Sequence, residues 1–101
     1  MSLQEKLEVA YDKYYKHKKI SYEEYEMLAM TNDEVFFNYR NTEYQIIHES
    51  NSITVFYVTE YDADWKTKIS ERSEQYNSTV ELLEQARIDS KSIREIWDEV
   101  L

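Results

Sequence analysis

The chain of 101 residues contains no cysteine, no glycine and no proline. Without cysteine, it can form no disulfide, thiolate metal site or cysteine nucleophile, and its composition fits a reducing compartment. Without glycine, neither a phosphate-binding Walker loop nor a dinucleotide-binding fingerprint can be written, because both need backbone conformations that glycine provides. Tight turns are therefore expected to use Asn, Asp and Ser.

Long apolar runs are also missing from the sequence. No stretch approaches the length of a membrane span, and the segment Met1–Glu5 becomes charged too soon for a signal peptide. We therefore expect a cytoplasmic protein. The length fits a single domain over residues 1–101, and 42% hydrophobic residues provide enough apolar surface for one core.

Four segments contain Ser followed three residues later by Glu, the pattern of a capping box at a helix N-terminus. The pairs are Ser2/Glu5, Ser21/Glu24, Ser78/Glu81 and Ser92/Glu95. Apolar residues at helical spacing follow each pair. The sequence therefore predicts helices over residues 3–18 and 22–31, and two more near residues 80–86 and 93–100.

Between these helices, apolar and polar residues alternate as in β-strands. Three runs centred on Phe37, Ile46 and Val55 are separated by polar residues at 41–42 and 50–52, and a weaker pattern over 65–71 predicts a fourth strand. The sequence thus predicts an α+β fold: two helices, a three- or four-stranded antiparallel meander, and two helices, all packed on one face of the sheet. The expected core residues are Phe37, Ile46, Val55, Leu83, Ile93, Ile96 and Trp97.

The C-terminal stretch Ile88–Trp97, together with the segments Phe37–Tyr39 and Tyr44–Ile46, resembles small uncharacterised proteins of Gram-positive bacteria and their phages or mobile elements. The resemblance covers roughly half of the chain. Such proteins often have glycine at the positions of Ser90 and Asn41. The resemblance implies a bacterial or phage origin and no particular activity.

Three acidic residues, Glu60, Asp62 and Asp64, alternate along the chain in a way that could attract Ca²⁺ or Mg²⁺. An EF-hand loop beginning at Asp62 would need glycine at its sixth position and glutamate at its twelfth, where this chain has Thr67 and Ser73. We therefore expect a solvated acidic turn, and no metal or cofactor.

The two histidines, His17 and His48, are the obvious candidates for general acid–base catalysis. His17 lies among lysines, and the neighbour of His48, Glu49, points to the opposite face of a strand. The sequence thus identifies no nucleophile or orienting carboxylate for either ring. No catalytic residue is predicted, and the chain is not expected to be an enzyme.

Ten tyrosines are the strongest compositional feature of the sequence. Several in the N-terminal helices have the spacing of a buried stripe, but Tyr15 lies about 100° around the helix from Tyr14. Some tyrosines are therefore expected at the surface, where they favour protein interfaces. The predicted interaction surface consists of Tyr11, Tyr15, Tyr22, Tyr25, Glu23, Glu26 and Asp33.

Charge is unevenly distributed along the sequence. Residues 1–19 carry a net charge of +2, residues 20–64 a net charge of −9 and residues 65–101 a net charge of −2. The acidic middle block is typical of a solubilising face, and alternatively it could imitate the phosphates of nucleic acid. The overall charge of −9 opposes direct nucleic-acid binding, even though lysines are interleaved with the N-terminal tyrosines.

These observations predict a small non-catalytic domain that interacts with or regulates a protein partner and forms a homodimer through residues 11–25. The alternative is an acidic DNA mimic that inhibits a nucleic-acid-binding protein, and the second alternative is an enzyme. A salt titration of partner binding separates the first two, since binding by mimicry weakens steeply with salt and an aromatic interface does not.

Overall fold

The computed structural model describes residues 2–49 and 53–100. Along the chain, two helices precede an antiparallel sheet and two helices follow it. The sheet is a meander of four strands in the order β1-β2-β3-β4, so the α+β prediction is confirmed. The elements are α1 (Leu3–Tyr15), α2 (Tyr22–Thr31), β1 (Glu34–Tyr39), β2 (Thr42–Glu49), β3 (Ile53–Tyr61), β4 (Lys68–Tyr76), α3 (Thr79–Gln85) and α4 (Ile93–Ile96), followed by a 3₁₀ turn (Trp97–Glu99).

All four predicted helix starts are confirmed, because each serine hydroxyl accepts a hydrogen bond from the amide three residues later. The box is reciprocal at Ser21 and Ser92, where the glutamate carboxylate also accepts from the serine amide. At Ser78 the Glu81 carboxylate instead accepts from the amide of Asn77, one residue earlier. These bonds satisfy first-turn amides that have no partner within the helix.

Helix α1 ends at Tyr15, three residues before the predicted end at 18. The amide of His17 donates to the carbonyl of Tyr14, and the amide of Lys18 donates to that of Lys13. These two bonds form a Schellman motif, whose C′ residue takes a left-handed conformation. His17 occupies that position with φ 56°, so the chain turns away before the lysines can extend the helix.

Side chains of the sheet alternate between a face covered by helices and an open face. Val35, Phe37 and Tyr39 of β1 point to the covered face, and Phe36 and Asn38 point away from it. The β1–β2 turn consists of Arg40 and Asn41, with φ 50° and 57°, as expected for a two-residue hairpin. The predicted connection at 41–42 is thus one residue too late, and the predicted connection at 50–52 lies outside the described residues.

The fourth strand begins at Lys68 rather than at Trp65. The Asp62 carboxylate accepts the amides of Asp64 and Lys66, which holds residues 62–67 in a loop with Trp65 at φ 61°. β4 then continues to Tyr76, well beyond the predicted end at 71. Its position was missed because this edge strand is mostly polar on both faces, so it shows no hydrophobic alternation.

Helix α4 is shorter than predicted, since the chain tightens into a 3₁₀ turn at Trp97. Nevertheless, all of the predicted core residues are buried: Phe37, Ile46, Val55, Leu83, Ile93, Ile96 and Trp97. Val55 differs from the others, because it is buried on the face of the sheet opposite Phe56, which joins the main cluster.

Trp97 connects the C-terminal segment to the rest of the core. Its indole Nε1–H donates to the carbonyl of Ile20, in the α1–α2 connection, at 2.8 Å. Its ring centroid lies 4.5 Å from that of Tyr25 in α2 and 5.7 Å from that of Phe37 in β1. One side chain therefore links four parts of the fold.

We expect Trp97→Ala to lower the free energy of unfolding by about 3–5 kcal/mol, because it removes this ring and leaves a cavity. Urea titration measures the change. Trp65→Ala is the matched control. Residue Trp65 is 38% exposed, so this substitution is expected to lower the free energy of unfolding by about 1 kcal/mol or less. A loss below about 1 kcal/mol for Trp97→Ala would place this residue outside the cooperative core.

Ser78→Ala tests the cap of α3. The substitution leaves the Glu81 amide without its hydroxyl acceptor, so the free energy of unfolding should fall by roughly 0.5–2 kcal/mol. Ser73→Ala, on an exposed strand position, is the control and should change stability by no more than about 0.5 kcal/mol. Equal effects of the two substitutions would contradict a capping role for Ser78.

Candidate ligand groove beside strand β1

Strand β1 forms one edge of the sheet, and half of its backbone groups point away from the other strands. The amide of His48 donates to the carbonyl of Asp33, which sets the alternation of the β1–β2 ladder. The N–H and C=O groups of residues 34, 36 and 38 therefore point off the edge. The Tyr14 hydroxyl accepts from the Phe36 amide at 3.0 Å, so the end of α1 partly covers this edge.

A groove follows the edge on both sides of Tyr14. The larger hollow has a volume of about 410 Å³, and the smaller has about 270 Å³. Both are lined by Tyr14, His17 and Phe36, so the two hollows adjoin at these residues, and together they are called here the edge groove. The larger volume lies within the usual range of about 300–1,000 Å³ for ligand pockets.

Aromatic residues and Asn38 line the side of the larger hollow next to the core. Tyr25, Phe37 and Trp97 line it from the covered face of the sheet, and Asn38 lines it from β1. The Tyr25 hydroxyl and the Asn38 Oδ1 are both buried, and neither has a hydrogen-bond partner among the described residues. Such groups are rare in folded proteins, because each loses water without regaining a hydrogen bond.

Basic residues form the mouth of the larger hollow. The Schellman turn places His17, Lys18 and Lys19 along the lining. The Lys19 ammonium donates to the carbonyl of Asp98 at 2.8 Å, which holds this turn against the C-terminal segment. Lys18 is exposed, and it forms no ion pair within residues 2–49 and 53–100. The mouth is therefore a cationic region on an acidic protein.

Burial also changes the acidity of the tyrosines in the groove. Burial raises the pKa of Tyr25 well above its ordinary value of 10.0, and the neighbouring hydroxyls of Tyr14 and Tyr22 act in the same direction. Burial likewise raises the pKa of Tyr14, although the hydrogen bond from the Phe36 amide opposes that shift. Both hydroxyls are therefore neutral at physiological pH and are available as hydrogen-bonding groups.

Two of the predicted surface tyrosines lie at the smaller hollow. Tyr15 is 73% exposed, and its ring stacks on Tyr11 with centroids 5.8 Å apart. The Tyr11 hydroxyl donates to Asn32 Oδ1 after α2. Both tyrosines line this end of the groove.

The other two predicted surface tyrosines belong to the core. Tyr25 is only 1% exposed, and Tyr22 is 7% exposed and lies edge-on to Trp97. Their spacing of three residues places both on the side of α2 that faces the core. The prediction that they belong to an exposed interaction surface is therefore wrong. Tyr25 nevertheless lines the edge groove from within, whereas Tyr22 does not.

The predicted acidic residues do not join the groove. Glu26 lines a separate cleft of about 520 Å³ between α2 and the C-terminal helices. Glu23 is exposed and lies 3.8 Å from a guanidinium nitrogen of Arg94. Asp33 is also exposed, at the start of β1, where its carbonyl accepts from the His48 amide. The structure therefore divides the predicted interaction surface among several places.

The acidic turn near Asp62 has a structural role in the loop between β3 and β4. Hydrogen bonds from the backbone of Lys66, Thr67 and Asp64 lower the pKa of the Asp62 carboxyl, although partial burial opposes them. In the described part of the chain, no group of three or more His, Asp or Glu residues is arranged to hold a metal ion. No described helix is long and apolar enough to cross a membrane.

Sequence reasoning missed several residues of the groove. Phe36 and Asn38 occupy the outward positions of β1, which alternation assigns to solvent. Trp97 was predicted only as a core residue, and Lys18 was predicted to lie within α1. The groove forms where the α1–α2 turn, the β1 edge and the C-terminal segment lie close together. No local sequence pattern indicates that these three segments are in contact. The predicted meander did offer one signal, because it places its first strand at an edge of the sheet.

Comparison with known proteins identifies no relative. The chain matches no protein-family model, no curated protein and no solved structure. The candidate site therefore rests on its own geometry.

The burial of the Tyr25 hydroxyl predicts a dependence of stability on alkaline pH. Below about pH 10 both states keep this proton; above it the unfolded chain releases the proton while the folded chain retains it, so folding stability falls as pH rises. One such group contributes at most about 1.4 kcal/mol per pH unit. Tyr25→Phe should reduce the slope of unfolding free energy between pH 10 and 11, measured by urea titration. An unchanged slope would contradict the assigned burial.

Proposed function

We propose that this chain is a non-catalytic protein-interaction domain, and that it binds an extended acidic segment of a protein partner in the edge groove. The observation that carries the proposal is a hollow of about 410 Å³ that is lined by aromatic residues, has a cationic mouth and lies at the edge of the sheet formed by β1.

The shape of the groove favours an extended segment over a compact one. Its two hollows lie on either side of Tyr14 along the same strand edge. In an extended chain, residues two apart project to the same side, so two such side chains can enter neighbouring hollows. The outward backbone groups of Glu34 and Asn38 lie on either side of the Phe36 amide, which is already bonded to Tyr14. A segment can therefore bond these groups individually and cannot add a continuous strand.

Charge favours an acidic segment. The protein carries a net charge of −9, which repels acidic partners from most of its surface. The mouth formed by His17, Lys18 and Lys19 is the place where an acidic segment gains attraction instead. Complementary charge at an interface steers association and selects orientation, so Lys18 should contribute to both.

The homodimer remains a prediction that sedimentation can test. Tyr22 and Tyr25 are buried, so they are not available to the expected interface over residues 11–25. Tyr15 is the exposed aromatic residue of that range. The DNA-mimic hypothesis also remains a prediction. The acidic residues of the block lie apart, for example Glu26 on α2 and Glu43 on the open face of the sheet. This arrangement gives the DNA-mimic hypothesis no specific support.

Selection of peptides from a random display library tests the proposed function. The immobilised full chain should enrich peptides that contain Asp or Glu, and a synthetic copy of an enriched peptide should bind in solution. Lys18→Glu should weaken that binding roughly three- to tenfold at low salt, because an attraction becomes a repulsion. The loss should shrink in 0.5 M salt, where exposed charges are screened.

Lys66→Glu is the matched control for charge. It changes the net charge by the same amount but lies in the loop between β3 and β4, outside the edge groove. It should leave peptide affinity nearly unchanged. Equal losses for the two variants would show that net charge alone governs binding, and failure to enrich any peptide would count against the proposed function.

A further inference from the structure

We propose that the cleft between α2 and the C-terminal helices binds an amphipathic helix of another protein, with Lys or Arg beside its apolar stripe. The cleft has a volume of about 520 Å³, and none of its lining residues lines the edge groove. It is therefore a second binding surface, and it does not depend on the acidic segment proposed for the edge groove.

Two helices form walls of the cleft, and each contributes side chains at helical spacing. Tyr22, Glu26 and Met30 lie four residues apart on α2 and form a stripe about 12 Å long. Val80 and Glu84 have the same spacing on α3. Rows of this kind border the grooves into which a further helix packs. A strand finds no free edge here, because the backbone groups of α2 and α3 bond within their own helices.

Apolar side chains make the cleft suitable for the apolar stripe of such a helix. Tyr22 and Leu83 line it and belong to the buried core. Met30 on α2 is 50% exposed, and Val80 on α3 is 44% exposed. A partner that covers these two side chains removes apolar surface from water, which favours association.

The charges of the cleft select a basic helix. Glu26 lines it from α2 and Glu84 from α3. Neither carboxylate forms an ion pair within residues 2–49 and 53–100. Arg94 also lines the cleft, but its guanidinium already lies 3.8 Å from Glu23 and 4.8 Å from the centroid of the Tyr22 ring. The uncompensated charge is therefore negative, and a Lys or Arg of the partner would neutralise it.

The Glu26 carboxylate lies on the side of α2 that borders the cleft. It is one helical turn from Tyr22 on the same stripe. Burial raises the pKa of the Tyr22 hydroxyl, and the Glu26 charge acts in the same direction, whereas Arg94 opposes it. The three groups are thus close enough to interact, so a cation that enters the cleft meets the Glu26 charge.

A second copy of this chain is a poorer occupant than another protein. The first two turns of α1, residues 3–9, form an exposed helical end on which Leu3 is 65% exposed. This range contains two acids and one base, a net charge of −1, which the carboxylates of the cleft repel. Lysines further along α1 are already paired with Glu24 and Asp12. We therefore assign the cleft to a basic helix of a different protein.

Three synthetic helices of about 15 residues test this docking site on the full chain. They share an Ala-rich backbone and a stripe of Leu, and they differ at two positions beside the stripe, which are Lys, Gln or Glu. The Lys peptide should bind about tenfold more tightly than the Glu peptide, with the Gln peptide between them, because attraction is exchanged for repulsion. NMR shifts of the Met30, Val80 and Leu83 methyl groups report entry into the cleft.

Glu26→Gln combined with Glu84→Gln removes both charges, so the preference for Lys over Glu should fall to about twofold or less. Glu43→Gln combined with Glu60→Gln is the matched control. It changes the net charge by the same amount, and neither residue lines the cleft, so the tenfold preference should remain. Should the first double variant fail to fold, Glu84→Gln alone, at an exposed position, should reduce the preference about threefold.

Several results would overturn this assignment. Equal affinity of the Lys and Glu peptides, or no binding of either, contradicts the docking site. Equal effects of the two double variants, or shifts confined to residues outside the cleft, would show that net charge alone governs binding. Self-association of the chain that Met30→Gln abolishes would assign the cleft to a second copy. None of these results bears on the edge groove, whose test depends on Lys18.

Discussion

The hydrogen bond from the Trp97 indole to the carbonyl of Ile20 is the contact on which both the core and the groove depend. It ties the C-terminal 3₁₀ turn to the connection between α1 and α2, while the Trp97 ring packs on Tyr25 and Phe37. The same ring lines the edge groove. Stability and the candidate site therefore share one residue.

The elements whose signals are local could be predicted well from the sequence. Ser21 and Ser92 cap their helices as expected, because capping depends on residues only three positions apart. Phe37 and Ile46 are buried as expected, because alternation along a strand reports which face is covered. Local chemistry also explains the Asp62 turn, whose carboxylate binds nearby backbone amides and holds the loop.

Features that lack a recognisable local pattern, or that depend on distant parts of the chain, could not be predicted in this way. His17 adopts a left-handed conformation that normally favours glycine, so the end of α1 was placed too late. Asn38 has the polar character of a solvent position, and its side-chain oxygen is buried only because neighbouring segments surround it. Tyr25 was included in the predicted interaction surface, although its helical spacing also suited a buried stripe, and packing places it beneath the groove. The site thus consists of residues whose roles appear only when the fold is assembled.

The central claim is that the groove lined by Trp97 is where a partner segment binds. The chain contains two tryptophans, and the other, Trp65, lies in the loop between β3 and β4. In a Trp65→Phe variant, fluorescence excited where tyrosine does not absorb reports on Trp97 alone. Titration with an acidic peptide from the display selection should produce a saturable change in this emission, and no change in a Trp97→Phe variant that retains Trp65. A change confined to Trp65, with Trp97 silent at saturating peptide, would contradict the account.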